Sequence, residues 1–313
     1  MTRRGGWCHG VGVVVAAVVL TLNAPAGAWA VERPDSTWGL DRISHETLDK
    51  PYTYAYDESA GEGVTVYVVA TGIRTTHAEF QTESGSRATW GFNAVDAQDS
   101  DCNGAGTHLA ATVAGKTHGV ANKARVVAVK AAGCGGTAAP ATLVKAMNWV
   151  ARTAVRNHSV VLLGLGGRRN PAVDAAVDTL HDAGITVVAP AGDESQDTKN
   201  VSPGRAPNAI TVGAVDVNNT IAGFSNWGPG VDVFAPGVQV ASAWTGDDGK
   251  TKSIDGTGSA AAHVAGLAAY FIARSGGSTP ADAADKITNY ALKDKVGGKI
   301  RTSPNRIAYN AYK

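Results

Sequence analysis

The chain has 313 residues, with 28 Lys and Arg against 27 Asp and Glu and a formal charge of +1. A balance this even, with no basic block, argues against recognition of nucleic acid or of an anionic membrane surface. Its 38 glycines, set against 7 Trp, 8 Tyr and 5 Phe, suit an α/β domain whose helices lie close on a sheet.

Residues 1–30 read as an export signal. Arg3 and Arg4 supply a positive start, Val11 to Leu22 an apolar run, and Ala28-Trp29-Ala30 a small-x-small cleavage site. The run is too short to span a bilayer, and no later stretch is longer and apolar enough to do so. The arginine pair leaves both the general and the twin-arginine export routes open. The expected mature part, residues 31–313, is a single soluble, secreted domain with a charge of about −1 once Arg3 and Arg4 are gone. Cys8 leaves with the signal. Cys102 and Cys134 remain, and in an exported protein a disulfide is the default for such a pair. Two buried free thiols are the alternative, and metal ligation by two isolated cysteines is weaker still.

The predicted elements alternate. A β-branched run, Gly63–Val69, reads as a buried strand. A short helix-like stretch follows at Ala105–Ala114, then strand Ala124–Lys130, helix Pro140–Arg156, strand Ser159–Leu163, helix Ala172–Ala183 and strand Ile185–Ala189. Ala209–Gly213 and Val231–Phe234 read as further strands, and an Ala-rich helix spans about Ser259–Arg274. A last helix opens at Thr279-Pro280, a capping residue followed by proline at the first helical position. This order implies an α/β fold: a mostly parallel central sheet, helices on both faces, and ligands at the carboxyl ends of the strands.

Five stretches resemble the subtilase family of serine proteases (peptidase S8), in its proteinase K branch. They are Val64–Ile73, Asp101–His108, Gly164-Leu165-Gly166-Gly167, Ala191-Gly192-Asp193 and Gly256–Gly266. Trp38-Gly39-Leu40 and Ala308-Tyr309-Asn310 agree at the two ends, so the likeness spans the whole expected mature chain. It implies a subtilisin-like three-layer fold. It also implies that no pro-domain lies between Ala30 and Trp38, although a truncated gene model gives the same picture.

In this family an Asp, a His and a Ser, in that chain order, form the triad, and an Asn amide stabilises the oxyanion. The matching positions here are Ala70, Ala105, Gly258 and Asp193, so all four groups are replaced. Ser259 stands one helical step past the nucleophile position, about 100° away. His108 and His263 match non-catalytic family histidines. Asp193 places negative charge where the lost amide served. Loss of such a triad costs about 10⁶ in turnover, and the resemblance then implies a catalytically inactive homologue, a pseudoprotease rather than an enzyme. The alternative is residual or unconventional hydrolase activity involving Asp193, and a purely structural secreted domain is a third reading.

By position, Gly136-Thr137-Ala138 and Gly164-Leu165-Gly166 form the two edges that hold an extended peptide by strand addition. The competing reading gives these glycines turn geometry alone. The expected partner is a peptide or protein bound by a monomer. The resemblance also implies the Cys102–Cys134 bridge and a structural Ca²⁺ on the Asp232 carboxylate with the carbonyls of Pro207 and Ala209. A solvated aspartate is the other reading of Asp232.

Overall fold

The computed structural model describes residues 1–2 and 30–312. The expected signal segment therefore lies outside the described residues except at its two ends, and Cys8 lies outside them too.

Among the described residues, nine strands build the central sheet: β1 (Thr65–Ala70), β2 (Ala88–Asn93), β3 (Arg125–Lys130), β4 (Ser159–Leu163), β5 (Thr186–Pro190), β6 (Ile210–Val215), β7 (Val233–Pro236), β8 (Leu292–Lys293) and β9 (Arg306–Ile307). Their spatial order is β8-β9-β7-β6-β5-β4-β1-β3-β2. All neighbours run parallel except β8 with β9. Parallel strands need crossovers, and five helices lie on connections between strands of the sheet: α2 (Ala105–Ala114), α3 (Pro140–Thr153), α4 (Pro171–Asp182), α5 (Thr257–Arg274) and α6 (Pro280–Tyr290), while α1 (Trp38–Ser44) precedes it.

The two-residue period of a strand divides the core into layers. Val66, Val68 and Ala70 of β1, with Val160 and Leu162 of β4, face Leu109, Val113, Val264 and Leu267 of α2 and α5. Tyr67, Val69, Val161 and Leu163 point the other way, onto Leu143, Met147, Val150, Val177 and Leu180 of α3 and α4. The result is the expected three-layer α/β fold.

Helix limits moved where capping overrides pattern. α3 ends at Thr153, not Arg156: Ala154 donates its N–H to the Val150 carbonyl, and Val155 is exposed. α4 begins one residue early because the Asn170 side chain accepts from the N–H groups of Ala172 and Val173. Thr279 caps α6 through Asp282 N–H, as its sequence implied.

The Cys102–Cys134 disulfide joins the loop before α2 to the loop after β3. Reducing it is expected to lower stability by about 3–4 kcal/mol in the chain-entropy account, seen as a lower urea midpoint with reductant. An unchanged midpoint would mean that the bridge constrains nothing that unfolding releases.

Candidate active site

The carboxyl ends of β1, β4 and β5 meet the N-termini of α2 and α5, where a parallel sheet presents its ligand site. Ala70 closes β1, Ala105 opens α2, Gly164 follows β4, Asp193 follows β5 and Gly258 is the second residue of α5. A cavity of about 240 Å³ is lined by Ala105, Gly164, Gly166, Asp193, Gly258 and their neighbours. Ala70 stands just behind it: a Cβ on Gly164 would lie 3.2 Å from the Ala70 Cβ. Four positions scattered through the sequence are thus brought together. Gly136, Thr137 and Ala138 do not line this cavity. They lie on the loop after β3, where Gly136 is beside Asn103, whose side chain donates to the Cys134 carbonyl at 2.9 Å.

The sequence reading missed Leu109. Its side chain lies against two of these positions: a Cβ on Gly164 would come within 2.5 Å of its Cδ1, and a Cβ on Gly258 within 3.7 Å of its Cδ2. A leucine one turn into α2 fills volume beside the short Ala105. The signal was available as a pairing at i and i+4 with small residues opposite, but it needed the tertiary fold to be recognised.

Asp193 is held. Its Oδ1 accepts the Thr257 N–H at 2.8 Å, a carboxylate at the start of an 18-residue helix. Gly192 N–H in turn donates to the Thr257 hydroxyl at 3.1 Å. Glu194, the next residue, receives the Asn226 amide at 2.7 Å and donates its own N–H to Asn226 Oδ1 at 3.2 Å. Asp255 accepts the Gln239 N–H at 2.7 Å. All three carboxylates line the cavity.

The floor of the site hangs on a buried carboxylate, Asp101. Its Oδ1 accepts from the Thr71 hydroxyl and from the N–H groups of Asn103 and Gly104; its Oδ2 accepts from the N–H and the hydroxyl of Thr107. Thr71 also receives the Gly106 N–H at 2.9 Å. Gly106 has to be glycine, since a Cβ there would fall 2.0 Å from the Gly72 carbonyl oxygen. The Asp101 network therefore fixes Ala105 against the end of β1.

Neither nearby histidine faces the cavity. His108 bonds the Val240 carbonyl through Nε2 at 2.9 Å and lies edge-on to Trp244. His263 bonds the Ser259 carbonyl through Nδ1 at 2.9 Å. Ser259 lines the cavity, but its hydroxyl is enclosed and without a hydrogen-bond partner. Burial lowers both histidines from 6.5 to about 4. Each ring is neutral in the folded protein and protonates more readily when unfolded. Their stabilising effect is therefore complete above pH 6.5 and is lost as pH falls towards 4. By pH 5 each is expected to have given up about 2 kcal/mol, measured as a falling urea midpoint between pH 7 and pH 5. A flat profile over that interval would contradict the burial of these rings.

The expected calcium ligands lie apart from the cleft. Pro207, Ala209 and Asp232 line a second cavity, of about 270 Å³. Asp232 Oδ2 accepts the Thr211 N–H at 2.7 Å, and burial pushes its carboxyl up to about 6. A desolvated carboxylate beside carbonyl oxygens is a donor set of the type Ca²⁺ takes. Among the described residues no group of three or more His, Cys, Asp and Glu gathers to hold a metal.

A doubly covered parallel sheet with its cleft at the start of a central helix defines the architecture of a subtilisin-like protease. The chain belongs to the subtilase family: the family model matches residues 61–306. It is 60% identical over 284 residues to a cuticle-degrading serine protease of Arthrobotrys oligospora, covering 90% of this chain and 69% of that protein. Subtilisin-like protease 2 of Pseudogymnoascus destructans is 46% identical over 279 residues, covering 89% of this chain and 68% of the relative. The crystal structure of a cold adapted subtilisin-like serine proteinase superposes with a TM-score of 0.83 at 37% identity, over 89% of this chain and 100% of that one.

These relatives correct the expectation of a pseudoprotease that is not an enzyme. The relative at 60% identity is a cuticle-degrading serine protease and the one at 46% a subtilisin-like protease, and no observation in the structure shows a loss of activity. Ala70, Ala105, Asp193 and Gly258 stand where the resemblance implied the conventional catalytic side chains. The cavity, its carboxylates and the start of α5 are in place. Equating the loss of the triad with the loss of hydrolysis went further than the residues allow. Among the described residues, no helix is long and apolar enough to cross a membrane.

Proposed function

We propose that the chain is a secreted endopeptidase-class hydrolase of the subtilase family that cleaves extended peptides slowly and without the conventional triad. The observation that carries the reading is Asp193, a carboxylate fixed by Thr257 N–H in the cavity that also contains the start of α5. The main-chain groups of Thr137, Ala138, Leu165 and Gly166 carry no main-chain hydrogen bonds among the described residues. They are therefore free to pair with an incoming strand. A substrate carbonyl above Gly258 meets an N–H that has no main-chain partner among the described residues and lies at the positive end of α5. Asp193 then takes a proton from a water that attacks this carbonyl and returns it to the leaving amine nitrogen. No acyl-enzyme forms, because residue 258 has no side chain to carry one.

A positioned base contributes about 10²–10⁴ in rate. Asp193→Ala is accordingly expected to lower the hydrolysis of an internally quenched peptide at least a hundredfold, with the affinity for a peptide free of lysine and arginine unchanged. An unchanged rate would remove Asp193 from the chemistry.

Calcium belongs to the same proposal as a structural ion on Asp232, Pro207 and Ala209. It supplies charge compensation for a buried carboxylate and takes no part in hydrolysis. Calcium at a hundred times its Kd is expected to add about 3 kcal/mol of stability, read as a higher thermal midpoint that EDTA reverses and Asp232→Ala abolishes. A midpoint indifferent to calcium would leave Asp232 as a plain buried acid.

A further inference from the structure

The cavity walls differ from its lip in chemistry. Leu109, Pro190, Val201 and Ile254 supply apolar surface, while Asp193, Glu194 and Asp255 supply carboxylates, and no Lys or Arg lines it. All three acids are exposed, so they stand at the mouth, and the apolar side chains are buried or half-buried. Each acid is oriented by a bond to one oxygen, from Thr257 N–H, the Asn226 amide and Gln239 N–H respectively. Gln239 also places its side-chain amide 3.3 Å from the same Asp255 oxygen. The second oxygen of each acid has no hydrogen bond among the described residues. Arg168, Lys199 and Lys252 each stand two residues from a lining residue, are exposed, and do not line the cavity. Arg168 lies on Gly167–Arg168, the short strand paired with Val201–Ser202.

We propose that this cavity selects a lysine or arginine side chain of the bound peptide, with the aliphatic stem against the apolar walls and the cationic head among Glu194, Asp255 and Asp193. A long cationic side chain suits this division, because its methylene stem buries readily while its charge stays near water. An apolar side chain of similar length meets the same walls but leaves three negative charges without a counter-ion. An acidic side chain is repelled. The lip carboxylates are exposed, so each ion pair is weak and screened by salt; together they amount to a preference of about tenfold rather than an absolute rule.

The inference rests on the reading of this cleft as a peptide site, and the test separates the two. Fluorescent hexapeptides identical except for one residue, lysine, norleucine or glutamate, are titrated into the full chain by anisotropy at about 20 mM and 500 mM salt, and their cleavage is followed in parallel. The expected order is lysine over norleucine by about tenfold, with glutamate weakest. The lysine advantage should shrink in high salt and in Glu194→Gln/Asp255→Asn, while norleucine affinity stays level. Equal affinity for lysine and norleucine, or a preference indifferent to salt and to those substitutions, overturns the cationic pocket and leaves the peptide site standing. No binding of any peptide overturns both.

Discussion

Rebuilding the family's side chains in this chain is expected to raise peptide hydrolysis by about 10⁶, the factor that removing a subtilisin-type triad costs, or about 8 kcal/mol of barrier. The substitutions are Ala70→Asp, Ala105→His, Gly258→Ser and Asp193→Asn. The backbone is ready to receive them, since Ala70 and Ala105 sit at the end of β1 and the start of α2. The nearest atom to a new Cβ on Gly258 is Leu109 Cδ2 at 3.7 Å, an ordinary contact. Leu109 also fills the space between Gly164 and Gly258 where an imidazole from position 105 has to lie. The four changes alone should therefore give only part of the gain, and adding Leu109→Val should release the rest. The measure is kcat/KM on a quenched peptide together with covalent labelling by a serine-directed fluorophosphonate. A five-residue variant that folds, binds peptide and still fails to label would mean that the cleft is not in the subtilase geometry.

The largest expected loss of stability comes from Asp101→Ala. Five hydrogen bonds converge on that buried carboxylate, from Thr71, Asn103, Gly104 and, twice, Thr107. Removing it leaves enclosed N–H and O–H groups unpaired, at about 1–3 kcal/mol for each donor that water cannot reach. Partial relaxation brings the expected total to about 3–5 kcal/mol. Chemical denaturation reads this directly, and peptide affinity should fall with it because the start of α2 loses its anchor. A cost below about 1 kcal/mol would show that the α2 start is held by packing alone.

Six strands of the sheet were legible because each is a short, largely buried apolar run; β2, with only Ala88 buried, and the two-residue β8 and β9 were not read as strands. The alternation of Val66 and Val68 with Tyr67 and Val69 between two helix layers is the physical form of that pattern. The ends of α3 and α4 were less legible: one was set by a backbone cap at Ala154 and the other by the side chain of Asn170. The positions of the site were legible through motif order alone. What surrounds them was not. Leu109 matters because it lies near Gly164 and Gly258, and Glu194 and Asp255 matter because they share a lip with Asp193. Glu194 adjoins Asp193 in the chain, but Leu109 and Asp255 stand tens of residues from Gly164 and Asp193, and only the fold brings them together. The same limit explains the corrected expectation about activity: substitutions at four motif positions say which route is closed, but nothing about which other groups the fold assembles around the cavity.

The most direct test of slow, triad-free hydrolysis uses the unaltered protein. It is first treated with a fluorophosphonate, which silences contaminating serine proteases and has no target at Gly258. It is then incubated for days with a quenched peptide containing lysine, and the products are identified by mass. Cleavage at one bond that survives the treatment and disappears in Asp193→Ala is the predicted result. Peptide that is bound but remains intact, at the level of buffer alone, would contradict the account.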